Sequence, residues 1–285
     1  VLHGEDGDDL LVGGLAGDTM TGDNGNDGMI GDNGTISALA YDAGGLKTIG
    51  TVASEVSVLG GADTINGNEG NDVILGGAGD DLRLNGDNGN DLIIGDNGKL
   101  TGLNAQAVLT VTRIETTDNT VATGGADNIQ GNAGDDIILG GVDSDVISGD
   151  IGNDGILGDN GSLDAVVYNS SGWLSVATIS TEVSGVLGAG DTITGDEGND
   201  VILGGLGDDT INGNAGHDVM VGDNGTLSGV TVQAFWTIAT VQTTDGTATT
   251  GGADVLHGDD GDDRGGGGRR PDPRRRLPRA HRHSA

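Results

Sequence analysis

Aspartate returns every nine residues along this chain, in runs that break off and resume. The first run is Asp9, Asp18 and Asp27. The second is Asp63, Asp72, Asp81 and Asp91, with one ten-residue step at its end. A third holds Asp127, Asp136, Asp145 and Asp154, and a fourth Asp191, Asp200, Asp209 and Asp218. Asp254 and Asp263 open a fifth. One unit reads Gly76-Gly77-Ala78-Gly79-Asp80-Asp81-Leu82-Arg83-Leu84, and another Gly140-Gly141-Val142-Asp143-Ser144-Asp145-Val146-Ile147-Ser148. Within each unit the first six positions carry glycine where the backbone must turn with positive φ. The last three form a very short strand whose eighth residue points inward. That place is held by Ile65, Ile74, Ile93, Ile129, Ile138, Ile147, Ile156, Ile193, Ile202 and Ile211. Arg83 breaks the series in the unit with the extra residue, so a bulge is expected there, with Leu82 or Leu84 taking the inward place.

This pattern resembles the RTX, or haemolysin-type, calcium-binding nonapeptide G-G-x-G-x-D-x-U-x, in which U is a large aliphatic residue. The resemblance implies an all-β fold, a calcium-dependent parallel β-roll in which two nonapeptides make one turn of a flattened solenoid. It also implies that Ca²⁺ is held by the sixth-position aspartate together with backbone carbonyls of the turns. The seventeen aspartates named above are therefore the candidate metal ligands. Stacked turns lie about 4.8 Å apart. Aspartates 18 residues apart, such as Asp63 and Asp81 or Asp136 and Asp154, then face each other. Calcium–oxygen distances of about 2.3–2.6 Å make an ion midway between two such carboxylates sterically natural. Without a cation, two carboxylates about 5 Å apart repel by roughly 1 kcal/mol in water and about 3 kcal/mol at an effective dielectric of 20. A divalent ion reverses that sign, and its binding energy becomes folding energy. Turn chemistry explains fifth-position residues such as Asn71, Asp80 and Asn199. It does not explain a sixth position that is always Asp and never Asn.

Each complete run ends in Gly-Asp-Asn-Gly, beginning at Gly31, Gly95, Gly158 and Gly222. The expected organisation is four repeat blocks at 1–33, 60–98, 124–161 and 188–225, with a fifth starting at 251–263. Inserts occupy 34–59, 99–123, 162–187 and 226–250. Block plus insert recurs every 63–64 residues. Tyr41 and Tyr168, Gln106 and Gln233, and Asp118 and Asp245 show a longer period of 127. First-of-block strands such as Thr64-Ile65-Asn66 and Thr192-Ile193-Thr194 are polar on their outward face, as a solvated sheet face should be. Second- and fourth-of-block strands such as Val73-Ile74-Leu75, Ile137-Ile138-Leu139 and Val219-Met220-Val221 are apolar on both faces, so something must cover their sheet. The inserts contain strand-like runs at Val108 to Ile114, Trp173 to Ile179 and Phe235 to Val241. They are the nearest cover within the chain. The alternative is self-association through that face.

The charge balance narrows the function. All but one of the 45 acidic residues lie in 1–263, against four basic ones: Lys47, Arg83, Lys99 and Arg113. Such a segment repels nucleic acid and anionic membranes, and needs a cation before it can become compact. There is no Cys, so disulfides and thiolate metal sites are excluded. No apolar run is long enough to span a membrane. Neither H-E-x-x-H nor G-x-S-x-G occurs, so a non-enzyme is expected. At 264–285 sign and composition change together, mid-motif, where the earlier copy predicts Leu-Leu-Val. Eight Arg residues follow, and this tail is expected to be disordered, either as a true basic tail or as a change of reading frame. The expected role is a calcium-folded structural segment of a large bacterial protein, extracellular or at the cell surface and adhesin-like. The alternative is the carrier region of an exported enzyme or toxin.

Overall fold

The computed structural model describes residues 1–42, 45–56, 59–105, 109–118, 120–169, 172–181, 188–232, 236–244 and 252–266. It is all β, with two nine-stranded parallel sheets and one ten-stranded antiparallel sheet. The first parallel sheet collects the odd strands in chain order, from Leu2–His3 and Thr19–Asn24 through to Thr210–Ala215 and Val255–His257. The second collects the even strands, from Leu10–Val12 and Gly28–Ile30 through to Val219–Asp223 and Arg264–Gly266. One turn of the roll is one strand of each sheet.

The repeat blocks do not stand apart. Across the first insert, Met29 pairs with Ile74, just as Ile74 pairs with Ile93 inside a block. Leu84 pairs with Ile129 across the second insert, and Ile147 with Ile193 across the third. The inserts therefore loop out of a roll that continues without a break. Between the two parallel sheets lies a narrow core of one residue per strand. It contains every isoleucine predicted to point inward, together with Leu11, Met20, Met29, Leu84 and Met220. In the ten-residue unit it is Leu84 that enters the core, opposite Ile65. Leu82 is the extra, exposed residue, and Arg83 pairs with Thr64 on the outer face.

The antiparallel sheet is made entirely from the inserts. Gly45–Ser54 of the first pairs with Gly98–Ala105 of the second, Leu109–Thr116 with Gly161–Asn169 of the third, and Gly172–Thr181 with Gly225–Val232 of the fourth. In-register residues Val52, Leu100, Ile114, Leu163, Ile179 and Leu227 form an apolar row across it. They share one buried cluster with Ile30, Leu75, Ile94, Leu139, Leu157, Leu203 and Val221 of the second parallel sheet. The inserts thus cover the doubly apolar face. The neighbouring row, Ser37, Thr51, Thr101, Arg113, Asp164, Thr178, Ser228 and Thr240, is polar and faces away from that cluster. Val108 and Phe235, at the starts of two predicted runs, lie outside the described residues.

Arg264–Gly266, the first residues of the basic tail, extend the second parallel sheet by pairing with Val219, Met220 and Val221. Where an earlier turn has Leu10-Leu11-Val12, this one has Arg-Gly-Gly, and a cavity of about 640 Å³ opens among Met220, Ile238, Val241 and Arg264. The rest of the tail, 267–285, lies outside the described residues. No helix among the described residues is long and apolar enough to cross a membrane.

Candidate metal centre

The seventeen sixth-position aspartates are distributed over the two edges of the roll. Asp9, Asp27, Asp72, Asp91, Asp136, Asp154, Asp200, Asp218 and Asp263 lead into strands of the second parallel sheet. Asp18, Asp63, Asp81, Asp127, Asp145, Asp191, Asp209 and Asp254 lead into strands of the first. On each edge they stack turn upon turn, across inserts as well as within blocks.

The stacking differs from the symmetrical picture of an ion midway between two carboxylates. After Asp9 and Asp18, which begin the two edges, the Oδ1 of each aspartate accepts the backbone N–H of the aspartate one turn earlier. The Asp63 N–H donates to Asp81 Oδ1 at 2.8 Å, Asp81 to Asp127 at 2.8 Å and Asp136 to Asp154 at 2.8 Å, and so on along both edges. One oxygen of every such carboxylate is thus committed to the backbone. The other is not. From Asp9 to Asp218, Asp18 excepted, the Oδ2 is buried and accepts no hydrogen bond. A buried, unmet carboxylate oxygen costs several kcal/mol unless a cation meets it.

The place toward which Oδ2 points is repeated from turn to turn. A methyl group added to Gly67 would meet both Asp72 Oδ2 and the Gly86 carbonyl oxygen. One on Gly76 would meet Asp81 Oδ2 and the Gly95 carbonyl, and one on Gly204 would meet Asp209 Oδ2 and the Gly222 carbonyl. A carboxylate oxygen from one turn and a carbonyl oxygen from the next therefore converge beside a glycine that leaves the space open. Among the described residues no three His, Cys, Asp or Glu side chains converge on one point. The donor set is one carboxylate plus backbone oxygen, which suits a hard cation with flexible geometry better than a transition metal or octahedral Mg²⁺.

Burial dominates the electrostatics. It pushes the Asp72 carboxyl up to about 8, with the Asp91 charge adding to the effect, and Asp81 up to about 9, with Asp127 adding. Asp136, Asp145 and Asp154 are raised well above the ordinary carboxylate range, again by burial first and by neighbouring carboxylates second.

The fifth position forms a separate ladder. Asn71 Oδ1 accepts the Asn90 N–H at 2.8 Å, Asn153 Oδ1 the Asn199 N–H at 3.0 Å, and His217 Nδ1 the Asp262 N–H at 2.9 Å. Turn chemistry accounts for these residues, including His217.

Sequence reasoning missed a further set, the aspartates of the four Gly-Asp-Asn-Gly segments. Asp32, Asp96, Asp159 and Asp223 are all buried. Asp32 Oδ1 accepts the Gly61 N–H at 3.2 Å from the far side of its insert, where the chain re-enters the roll, and Oδ2 the Ala78 N–H at 2.7 Å from the following turn. Asp96 does the same with Gly125 at 2.7 Å and Val142 at 2.5 Å. Asp159 bonds the N–H groups of Ala189 and Leu206. The signal was available, because all four complete runs end in the same four residues.

Comparison with known proteins identifies the repeat. A family model, that of the RTX calcium-binding nonapeptide repeat, matches residues 2–35, 57–82, 83–99, 121–156 and 188–226. A comparison with curated proteins gives no match.

Proposed function

The chain belongs to the RTX calcium-binding nonapeptide repeat family, and from that premise we propose that its aspartates from Asp9 to Asp263 hold two rows of Ca²⁺ ions, one along each edge of the roll. Calcium binding follows from the repeat. The assignment of ligands rests on one observation, the buried Oδ2 converging with a glycine carbonyl of the next turn from Asp9 to Asp209, Asp18 excepted. In this reading the ion replaces an uncompensated buried charge, and the roll becomes the stable state only when it is loaded.

The biological role that best fits is structural and non-catalytic. The chain is a calcium-stiffened segment of a larger secreted or surface protein of bacterial origin, adhesin-like in character. Millimolar calcium outside the cell would fold it, and calcium-poor cytoplasm would leave it unfolded. The four blocks and their inserts act as one folding unit, because the parallel sheets run through every block and the insert sheet spans all four inserts. The second reading is the carrier region of an exported enzyme or toxin. It is favoured by the same calcium-dependent switch and is decided by what the rest of the gene encodes.

The test is far-ultraviolet circular dichroism of the chelated chain during a calcium titration, with magnesium in parallel. Strand signal should appear with calcium and not with equal magnesium. A strand signal indifferent to the chelator would remove the reading.

A further inference from the structure

The plain turns and the insert-bearing turns of one edge differ at their second position. In the plain turns it is Gly14, Gly77, Gly141 or Gly205, each with φ between 103° and 131°. In the insert-bearing turns it is Asp32, Asp96, Asp159 or Asp223. The first three of these carboxylates are 3%, 0% and 1% exposed. Each accepts two backbone N–H groups, which leaves part of its roughly four lone-pair sites open.

A second carboxylate faces the same turn. Asp63, Asp127 and Asp191 close the turns that Asp32, Asp96 and Asp159 open. Their Oδ2 atoms are buried and accept no hydrogen bond. They point at Gly31, Gly95 and Gly158, the residues that immediately precede Asp32, Asp96 and Asp159. One member of each pair raises the pKa of the other. Asp127 is the foremost charged neighbour of Asp96, Asp191 of Asp159, and Asp32 of Asp63. At the first of these turns the convergence seen at the ladder aspartates recurs, since a methyl group on Gly60 would meet both Asp32 Oδ2 and the Ala78 carbonyl oxygen. Each pair of carboxylates accepts three backbone N–H groups, two at the first and one at the second, and two buried negative charges exceed what three such dipoles can balance.

We infer that each insert-bearing turn is a two-carboxylate calcium site, in which Asp32, Asp96 and Asp159 join Asp63, Asp127 and Asp191 and bind the ion more tightly than the plain turns do. This rests on the calcium reading proposed above. Adding a carboxylate is the ordinary means by which calcium sites are tightened. The consequence is an order of loading: the ion first closes the mouths of the inserts and then fills the plain turns.

Isothermal titration of the chelated full chain with calcium chloride tests this. Two affinity classes are expected. Asp96→Asn should weaken the tight class at one site by about tenfold or more, whereas Asp136→Asn should remove a weak site and leave the tight class intact. A single affinity class, or a tight class untouched by Asp96→Asn, would overturn the inference. If Asp96→Asn does not fold in millimolar calcium, an anomalous-difference map of the unaltered protein crystallised at limiting calcium decides. Ions concentrated at the insert-bearing turns support the inference, and ions concentrated at the plain turns refute it. Failure of the calcium reading itself would look different, since neither ions nor heat of binding would appear in any turn.

Discussion

At each sixth position the two oxygens of one aspartate meet different demands. Oδ1 takes the N–H of the turn before it, and in the proposed reading Oδ2 is left for a cation. Asparagine could imitate the first and not the second, because its amide nitrogen would be aimed at a carbonyl-lined gap with a donor in place of a charge. That is why Asp is invariant there while the fifth position admits Asn, Asp and His217. The period of the carboxylates was legible in the sequence. The division of labour between the two oxygens was not, because it depends on which backbone N–H groups stack in three dimensions. A second residue-scale constraint is glycine at close approach. Gly89 has φ 151°, and a Cβ there would overlap the Gly70 carbonyl of the turn below. Gly89→Ala should therefore cost more than the ~1 kcal/mol of an ordinary strained glycine replacement. Thermal unfolding in saturating calcium measures it, and an unchanged midpoint would contradict this stacking.

Among the elements, the second parallel sheet announced its own cover. Val73–Leu75 and Val201–Gly205 are apolar on both faces, which a solvated sheet does not tolerate, and the insert strands supply the missing layer. The sequence did not disclose that inserts separated by a whole block pair with one another. Their hydrogen bonds are long-range, and register across them is set only once the roll has brought their bases close together. The hydroxyls of Ser54, Thr116 and Thr181 help to set that spacing by accepting the N–H groups of Gly98, Gly161 and Gly225, where the next inserts begin. Leu163 lies in the middle of this layer and is fully buried. Leu163→Ala should cost about 2–5 kcal/mol by leaving a cavity. The same truncation at exposed Val146 should stay within about 0.5 kcal/mol. Chemical denaturation in saturating calcium compares the two, and equal costs would mean that the insert layer does not pack as described.

For the molecule as a whole the governing quantity is charge. The formal net charge is −33, and much of it is folded into two buried columns of carboxylates. Their folded-state values are raised, to about 7 for Asp63, about 8 for Asp200 and about 9 for Asp81. The unfolded value is about 3.9. A raised carboxylate contributes stability that is fully present below the unfolded value and is lost as pH climbs through the folded one. The chelated chain should therefore gain strand signal on acidification to about pH 4 and lose it as pH rises through about 7 to 9. In calcium the trend reverses, because protons then compete with the ion for the same oxygens. Circular dichroism against pH, with and without chelator, checks both directions.

The inserts occur on every second turn, and each contributes a hairpin to their common sheet. The second and third supply two long strands, and the first and fourth one long strand paired with two short ones. Two turns of the roll and one hairpin of the cover therefore advance by the same distance, roughly twice the 4.8 Å strand separation. The two layers are graduated alike, as two rulers cut to one scale. Further units of this kind could be added without a growing misfit between the layers. An array built this way would lengthen as a straight beam, whereas inserts on every turn would crowd the cover and bow it.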